Sequence, residues 1–366
     1  MKGKVLILVN HDVVIYNFRR ELVQSLLADG YEVVISSPYG ERIPLLQEMG
    51  CKYLEVSLKR HGMNPLEEWK LLRYYKRIMR EEKPDVVLTY TIKPNLYGGM
   101  AAKAHGIPYI ANITGLGMAV EHPGLLQRFL TGMYRRALKE AKCVFCQNES
   151  NLKWLKAQRI GEGKLKLLPG SGVNLEYFSF CEYPQKEPVR FAFISRIMKD
   201  KGIEEYLEAA ARLKASYQEA EFHICGFCEE AYEKRLKQME QEGIIRYHGM
   251  VQDIRSVLET IQCVVLPSYH EGMSNALLEA AATGRPLIAT DVPGCRECLE
   301  PKKSGFLVKA GDAEDLAEKI EQFLQLPYEE RKAMGLASRK HAERCFDRKQ
   351  IIEAYRKELS DCQTLL

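Results

Sequence analysis

The sequence predicts an α/β protein built from two doubly wound halves, each around a parallel sheet. Three observations carry that prediction. Short runs rich in Val, Ile and Leu alternate with longer helical patterns, as they do when strands are buried on both faces and joined by crossover helices. The alternation halts in a stretch at 171–189 that carries Gly172, Pro184 and Pro188, and then starts afresh. A length of 366 residues suits two domains of ordinary size, with ample chain for a buried core.

In the first half, residues 4–10 (KVLILVN) read as a strand, and 18–29 as a helix closed by Gly30. Residues 32–38 form a second strand ended by Pro38, and a helix over 66–82 stops before Pro84. Residues 85–90 are a strand, 96–105 a helix closed by Gly106, and 108–114 another strand. A long helix over 125–141 leads into the strand at 143–148, and 164–170 closes the series. In the second half the expected strands are 190–196, 220–226, 245–249, 263–268 and 286–291, with helices over 203–216, 232–242 and 275–283. A last helix, about 348–359, follows Phe346 and Asp347 and is placed to return to the first half. The expected divisions are therefore 1–170, 171–346 and 347–366. Two such halves, joined once, would face each other across a cleft lined by the carboxyl ends of their strands.

Composition narrows the class. Hydrophobic residues at 46% and charged residues at 28% exclude a disordered chain, a collagen-like repeat and a small disulfide scaffold. The longest apolar runs, 5–9 and 263–267, fall far short of the ~18–20 residues of a spanning helix. The amino terminus has basic flanks, but its apolar core is too short for a signal peptide and His11-Asp12 follows at once. The net charge of +4 hides an asymmetry: residues 1–170 hold 26 Lys/Arg against 16 Asp/Glu, and residues 171–366 hold 27 against 33. The basic first half points to something anionic: nucleic acid, a phosphorylated substrate or an anionic membrane surface.

Eleven cysteines without a secretory signal suit a reducing compartment. Three pairs have the C-x-x-C spacing of zinc or redox sites: Cys143/Cys146, Cys225/Cys228 and Cys295/Cys298. The first lies in a strand, where residues i and i+3 project to opposite faces and cannot share a metal. CGFC at 225–228 ends a strand without the rest of a thioredoxin-like domain around it, so packing cysteines are expected and no metal site.

Two stretches carry chemistry. In PSYHEGMSNALLEA (267–280) a strand ends at Pro267, and a loop with Gly272 turns into a helix capped by Ser274 or Asn275. Unused backbone N–H groups at such a helix start suit a phosphate. Glu271 in the loop and Glu279 inside the helix are tolerable beside an anion if they accept hydroxyls, as a sugar and a ribose would offer. In SRIMKDKG (195–202) Arg196 ends a buried strand and Lys201 precedes Gly202 at a helix entrance. Two cations at a strand carboxyl end are placed to neutralise a diphosphate, Arg through its planar fork and Lys as a point charge.

At these residues the sequence resembles the retaining glycosyltransferases of sequence family 4, which have the GT-B fold of two Rossmann-like domains. The E-x7-E pair Glu271/Glu279, the S-R-x3-D-K-G run at 195–202 and PGSGVNLEYF at 169–178 carry the resemblance, which extends over essentially the whole chain. It implies a sugar nucleotide held mostly by the C-terminal domain and an acceptor held by the N-terminal one. By the same resemblance, Arg196 and Lys201 would hold the donor diphosphate, Glu279 the ribose, and Glu271 with Gly272, Met273, Ser274 and Asn275 the donor sugar and phosphate. Gly226 and Val251 complete the expected donor pocket. No cofactor is implied, and the lack of a D-x-D motif suits a transferase that needs no catalytic metal.

The first half narrows the branch. Tyr16-Asn17-Phe18-Arg19, Thr91-Ile92-Lys93-Pro94-Asn95, Asn112-Ile113-Thr114-Gly115-Leu116-Gly117 and the run at 147–151 look like bacterial N-acetylgalactosaminyl- and galactosyltransferases. Those enzymes extend polyprenyl-diphosphate-linked glycans for capsule, O-antigen and protein glycosylation. The implied acceptor residues are His11, Asn17, Arg19, Lys93, Thr114 and Gly115, with Arg19 and Lys93 offering charge to the acceptor diphosphate. Two departures stand out. The first loop reads Asn10-His11-Asp12-Val13 where many members have paired glycines, and Thr114-Gly115 stands where many have a histidine. The resemblance implies a front-face mechanism, in which the leaving phosphate helps deprotonate the acceptor and no separate base is needed.

Basic amphipathic segments at 59–83, with Trp69, and at 125–142, with Phe129, suit an anionic membrane interface, and the expected location is cytoplasmic and peripheral to the inner face of the membrane. The leading expectation is thus a retaining transferase moving a hexose or N-acetylhexosamine from a UDP-sugar to a lipid-linked glycan. The alternatives are a sugar-nucleotide 2-epimerase and a non-catalytic sugar-nucleotide-binding partner; nucleic-acid binding would explain only the basic half.

Overall fold

The computed structural model describes residues 2–57, 64–116, 124–184 and 187–363. The chain divides into two compact units, Met1–Ser171 with Gln350–Leu366, and Gly172–Lys349. In the first unit the strands are β1 (Gly3–Leu8), β2 (Tyr31–Ser37), β3 (Lys52–Glu55), β4 (Val86–Tyr90), β5 (Tyr109–Ile113), β6 (Cys143–Cys146) and β7 (Leu165–Leu167). They form one parallel sheet in the order β3-β2-β1-β4-β5-β6-β7. Alternate residues of β1 feed two layers. Val5 and Ile7 pack with helix Asp12–Ala28 and with the C-terminal helix Arg348–Gln363, while Leu6 and Leu8 pack with helices Pro65–Glu82, Gly99–Ala104 and Leu125–Leu138. Cys143 and Cys146 fall in these opposite layers.

The second unit holds β8 (Arg190–Ile194), β9 (Glu221–Cys225), β10 (Arg246–Tyr247), β11 (Cys263–Leu266), β12 (Leu287–Thr290) and β13 (Gly305–Val308). These too are all parallel, in the order β10-β9-β8-β11-β12-β13. Strand order reverses between β1 and β4 in one sheet and between β8 and β11 in the other. Crossover helices leave to opposite faces at such a switch point, which opens a crevice at the carboxyl ends of the strands.

The structure adds elements that the sequence pattern did not show. The edge strands β3 and β13 are only four residues each, too short for a clear period. Helices Glu149–Ala157, Ala313–Gln325 and Tyr328–Cys345 are likewise additional. The expected helix over 96–105 opens as a π-turn at Pro94–Gly98 before Gly99–Ala104. The stretch at 171–189, expected as a linker, is largely packed into the second unit: Phe178, Tyr183 and Val189 are buried, and Tyr183 donates to the Gln262 carbonyl at 3.1 Å. Arg285 explains the docking. Its fully buried guanidinium donates to the carbonyls of Leu258 at 2.7 Å, Glu182 at 3.1 Å and Cys181 at 3.3 Å.

Helix Arg348–Gln363 docks on the first unit through Ile351, Tyr355, Leu359 and Cys362, with the Tyr355 hydroxyl donating to the Asn112 side chain and its ring 5.0 Å from that of Phe145. Truncating Tyr355 to alanine should lower stability by about 3–5 kcal/mol in urea denaturation, as for other buried aromatic residues. A loss below about 1 kcal/mol would mean that this helix is not anchored by its aromatic contact.

Candidate active site

In the second unit the named residues gather at the carboxyl ends of β8, β9, β10 and β11. Arg196 follows β8, Gly226 follows β9, Val251 follows β10, and 271–275 follow β11 and open the helix Asn275–Ala282. Two glycines let the loops approach. A Cβ on Gly226, at φ +152°, would sit 1.8 Å from the Ser195 carbonyl oxygen, and one on Gly202, at φ +76°, 2.0 Å from that of Pro267. No side chain fits either position. The loop after β8 is therefore clamped to the loop after β11, and further bonds secure it: Tyr269 N–H donates to the Asp200 carbonyl at 2.9 Å, and the Ser268 hydroxyl to the same oxygen at 3.2 Å.

Charge is paired within this cluster. Lys201 Nζ lies 2.7 Å from Glu271 Oε1, both side chains largely shielded, and it also reaches the His270 carbonyl at 3.5 Å. Arg196 Nη1 pairs with Glu229, more exposed to solvent. Ser274 caps the helix Asn275–Ala282, its hydroxyl accepting from Leu277 N–H at 3.4 Å. The Ser274 amide donates to the Gly294 carbonyl at 2.9 Å. That helix directs the positive end of its dipole at the loop 271–274. Behind the loop, Cys298 Sγ lies 3.7 Å from Met273 Sδ, and burial pushes the Cys295 and Cys298 thiols up. Cys225 is also buried, its thiol pushed up to about 12. These cysteines pack.

Glu279 is the unusual group. Burial of its carboxyl raises the pKa to about 7 from an ordinary 4.5, with the charge of Arg348 opposing the rise. A carboxyl poised at neutrality can accept two hydroxyl donors once ionised, which suits a vicinal diol.

In the first unit His11, Lys93, Thr114 and Gly115 follow β1, β4 and β5. His11 is exposed, with Nδ1 3.3 Å from Val13 N and 2.7 Å from Oδ1 of the buried Asp12. The Asp12 Oδ2 accepts from Arg42 N–H at 2.8 Å, and a Cβ on Gly40 would meet its carboxylate at 2.4 Å. Lys93 pairs with Glu68 at 2.7 Å. Asn17 is exposed on the helix Asp12–Ala28. Arg19 needs correction as a group offered to an acceptor: it is 4% exposed, donates to the carbonyls of Phe18 at 3.0 Å and Gly170 at 3.3 Å, and its guanidinium stands 5.4 Å from the Tyr90 ring centroid. Its place in the middle of an amphipathic helix, three residues before the buried Leu22, was the signal for an inward turn. Gly117 lies outside the described residues.

Sequence reasoning missed Glu229, which engages Arg196, and Glu230, whose Oε2 accepts from Lys199 N–H at 3.0 Å. Both sit in an exposed loop with no pattern to mark them. Gly294 was also missed, although its Pro-Gly turn was visible: a Cβ there would lie 2.6 Å from the Glu271 carbonyl oxygen.

A helix start, two cations and two carboxylates thus gather at the carboxyl ends of a doubly wound sheet beside its switch point, the place where such α/β folds bind their ligands. The comparisons agree. The model described as "Glycosyl transferases group 1" matches residues 181–341, and "Glycosyl transferase 4-like" matches residues 4–148. The chain is 29% identical over 329 residues, 85% of its length and 86% of the relative's, to the N,N'-diacetylbacillosaminyl-diphospho-undecaprenol alpha-1,3-N-acetylgalactosaminyltransferase of Campylobacter jejuni. It is 26% identical, over 68% of each chain, to the UDP-Gal:alpha-D-GlcNAc-diphosphoundecaprenol alpha-1,3-galactosyltransferase of Escherichia coli. Among solved structures, a glycosyltransferase from Rickettsia africae matches with a TM-score of 0.79 at 20% identity, covering 99% of this chain and 98% of that one. Anabaena Alr3699/HepE in complex with UDP and glucose matches with a TM-score of 0.78 at 15% identity, covering 98% and 99%. The chain belongs to the group 1, family 4 glycosyltransferases and is a nucleotide-sugar-dependent enzyme.

Glu279 predicts a pH dependence of stability. Its folded pKa stands above the unfolded value, so the folded chain holds the proton longer. Stability therefore falls as pH rises from about 4.5 to about 7 and is level above that. Glu279→Gln should flatten this slope in thermal melts across that range. An unchanged slope would place the carboxyl in ordinary solvent.

Proposed function

We propose that this enzyme transfers a hexose or N-acetylhexosamine from a UDP-sugar, with retention, to a polyprenyl-diphosphate-linked glycan in bacterial surface polysaccharide or glycoprotein glycan synthesis, working at the inner face of the cell membrane. The observation that carries the reading is the set Arg196, Lys201, Glu271 and Glu279 around the β8/β11 switch point, where cations, helix dipole and carboxylates match the parts of a sugar nucleotide. The names of the Campylobacter jejuni and Escherichia coli relatives, both acting on diphospho-undecaprenol-linked sugars, support the acceptor class.

A donor diphosphate would compete with Glu229 for Arg196 and with Glu271 for Lys201. Its negative charge would be met by these two cations and the start of the helix Asn275–Ala282, so no catalytic metal is required. Glu271, released from Lys201, would accept hydroxyls of the donor sugar, and ionised Glu279 would accept the ribose diol. Gly226 and Val251 would line the donor pocket at the ends of β9 and β10. In the transfer step the bond from the sugar C1 to the phosphate oxygen breaks and the bond to the acceptor oxygen forms on the same face. The acceptor proton passes to the departing diphosphate. His11, Asn17, Lys93, Thr114 and Gly115 remain the acceptor residues in this reading, without Arg19.

Thermal shift with UDP, GDP and ADP, in EDTA and then with magnesium, tests the donor. A ligand at 100 times its dissociation constant stabilises the fold by about 2.7 kcal/mol, so a selective UDP shift in EDTA is expected. A shift that requires magnesium would overturn the metal-free reading. Arg196→Ala should weaken UDP binding roughly 10- to 150-fold, the worth of a charged hydrogen bond, and lower turnover with it. Glu279→Gln should weaken UDP binding far more than pyrophosphate binding. UDP release that depends on a lipid-linked acceptor separates transfer from epimerisation and from mere binding.

A further inference from the structure

The first unit carries a cationic groove that takes no part in the reaction described above. It has a volume of about 560 Å³ and runs along the helix Pro65–Glu82, lined by Lys70, Arg73, Lys76, Arg77 and Arg80. Trp69, Tyr74 and His105 complete its walls; no carboxylate lines it among the described residues, and Glu81 approaches Arg77 at 3.9 Å from outside the lining. The five cations are all exposed and form one stripe, because spacings of three and four residues return to the same helix face. The opposite face, with Leu71, Tyr75, Ile78 and Met79, is buried.

The stripe changes character at its start. Leu66 is 70% exposed and Trp69 54% exposed in the first two turns. The helix Leu125–Leu138 repeats the arrangement, opening with Leu125 at 84%, Leu126 at 47% and Phe129 at 56%, with Arg128, Arg135 and Arg136 also exposed. Both helices pack against the segment 94–104, so they lie on the same face of the sheet. Each ends only a few residues before its next strand, β4 or β6, so each must begin at the opposite, carboxyl edge of the sheet. The exposed Leu, Trp and Phe side chains thus share one edge, with a basic surface behind them.

We propose that this face docks on the membrane, the groove binding the phosphate groups of anionic phospholipid headgroups while Leu66, Trp69, Leu125, Leu126 and Phe129 enter the interface. Arginines suit phosphate oxygens through their planar fork. Tryptophan is at home where one side is apolar and the other wet. Nucleic acid fits less well: one face of the Trp69 ring is taken by Arg73, at 4.6 Å from its centroid, and exposed aliphatic leucines have no part in reading a phosphate backbone. Among the described residues no helix is long and apolar enough to cross a membrane, so attachment through this face would be peripheral. The proposal uses none of the donor or acceptor residues and stands whether or not the transfer reaction is as described.

The test is sedimentation of the full chain, without donor, with vesicles of phosphatidylcholine alone or with added phosphatidylglycerol. Binding should require phosphatidylglycerol and weaken with salt. Each basic residue at an anionic surface contributes about fivefold, so Arg73→Ala/Arg77→Ala/Arg80→Ala should bind roughly 100-fold more weakly. All three side chains are exposed, so the melting temperature should stay at the parent value, which excludes misfolding as the cause. Trp69→Ala/Phe129→Ala should weaken binding while keeping its salt dependence. Three results would overturn the proposal: a triple arginine variant that binds like the parent, equal binding to neutral vesicles, or saturable release by inorganic pyrophosphate beyond its ionic-strength effect, which would make a soluble phosphate the ligand. Tighter binding to single-stranded RNA or duplex DNA than to vesicles would replace the membrane by nucleic acid.

Discussion

The parallel pairing of β8 with β11 is the constraint on which the cluster of Arg196, Lys201 and Glu271 depends. Parallel neighbours cannot be joined by a tight turn, so every connection must cross the sheet and return through a helix. All strand-end loops of one sheet therefore emerge on one edge. Because β9 and β10 go to one side of β8 and β11 to the other, the loops carrying Arg196 and Glu271 become neighbours although 75 residues separate them. At Gly202 the two loops come too close for any side chain, next to the Lys201–Glu271 pair.

Electrostatics in the second unit follow from this crowding. Two cations brought to one edge would repel each other in the folded state without counter-charges nearby, and Glu229 and Glu271 supply them from two different loops. The Lys201–Glu271 pair is the more shielded, so its partners depend more on each other than do the exposed Arg196 and Glu229. Glu279 behaves differently. It lies on a helix whose neighbouring residues Leu277, Leu278, Ala280, Ala281 and Ala282 are buried, and its carboxyl is held near neutrality by desolvation. The first unit uses charge in another way: Arg19 and Asp12 are held inside the fold, while the cations on the helix Pro65–Glu82 are left outside, Arg77 at 3.9 Å from Glu81.

The long elements were legible in the sequence for a simple reason. Strands such as β1 and β2 contain unbroken apolar runs, residues 5–8 and 33–35, because both faces are covered there, and helices such as Pro65–Glu82 end before a proline that cannot be accommodated. The edge strands β3 and β13 were not legible, since four residues bearing Lys and Glu, or a Gly, match a loop as well as a strand. The cluster of Arg196, Lys201, Glu271 and Glu279 was legible because these residues lie in short, dense motifs. Their partners were not, because Glu229 and Arg348 come from distant segments with no local pattern of their own.

By itself, then, the sequence determined the α/β class, the restart of the pattern in the second half, the motifs that hold Arg196, Lys201, Glu271 and Glu279, and the basic character of the first half. These depend on local periodicity, on turn residues and on composition, which can be read without knowing what lies nearby in space. Only the tertiary structure decided that Arg19 is buried, that 171–189 is packed and not a free connector, and that the leucines and aromatic residues of two separate helices share one edge. Each of those depends on which surfaces the crossovers bring together, and strand order is set by the pairing of segments remote in the chain.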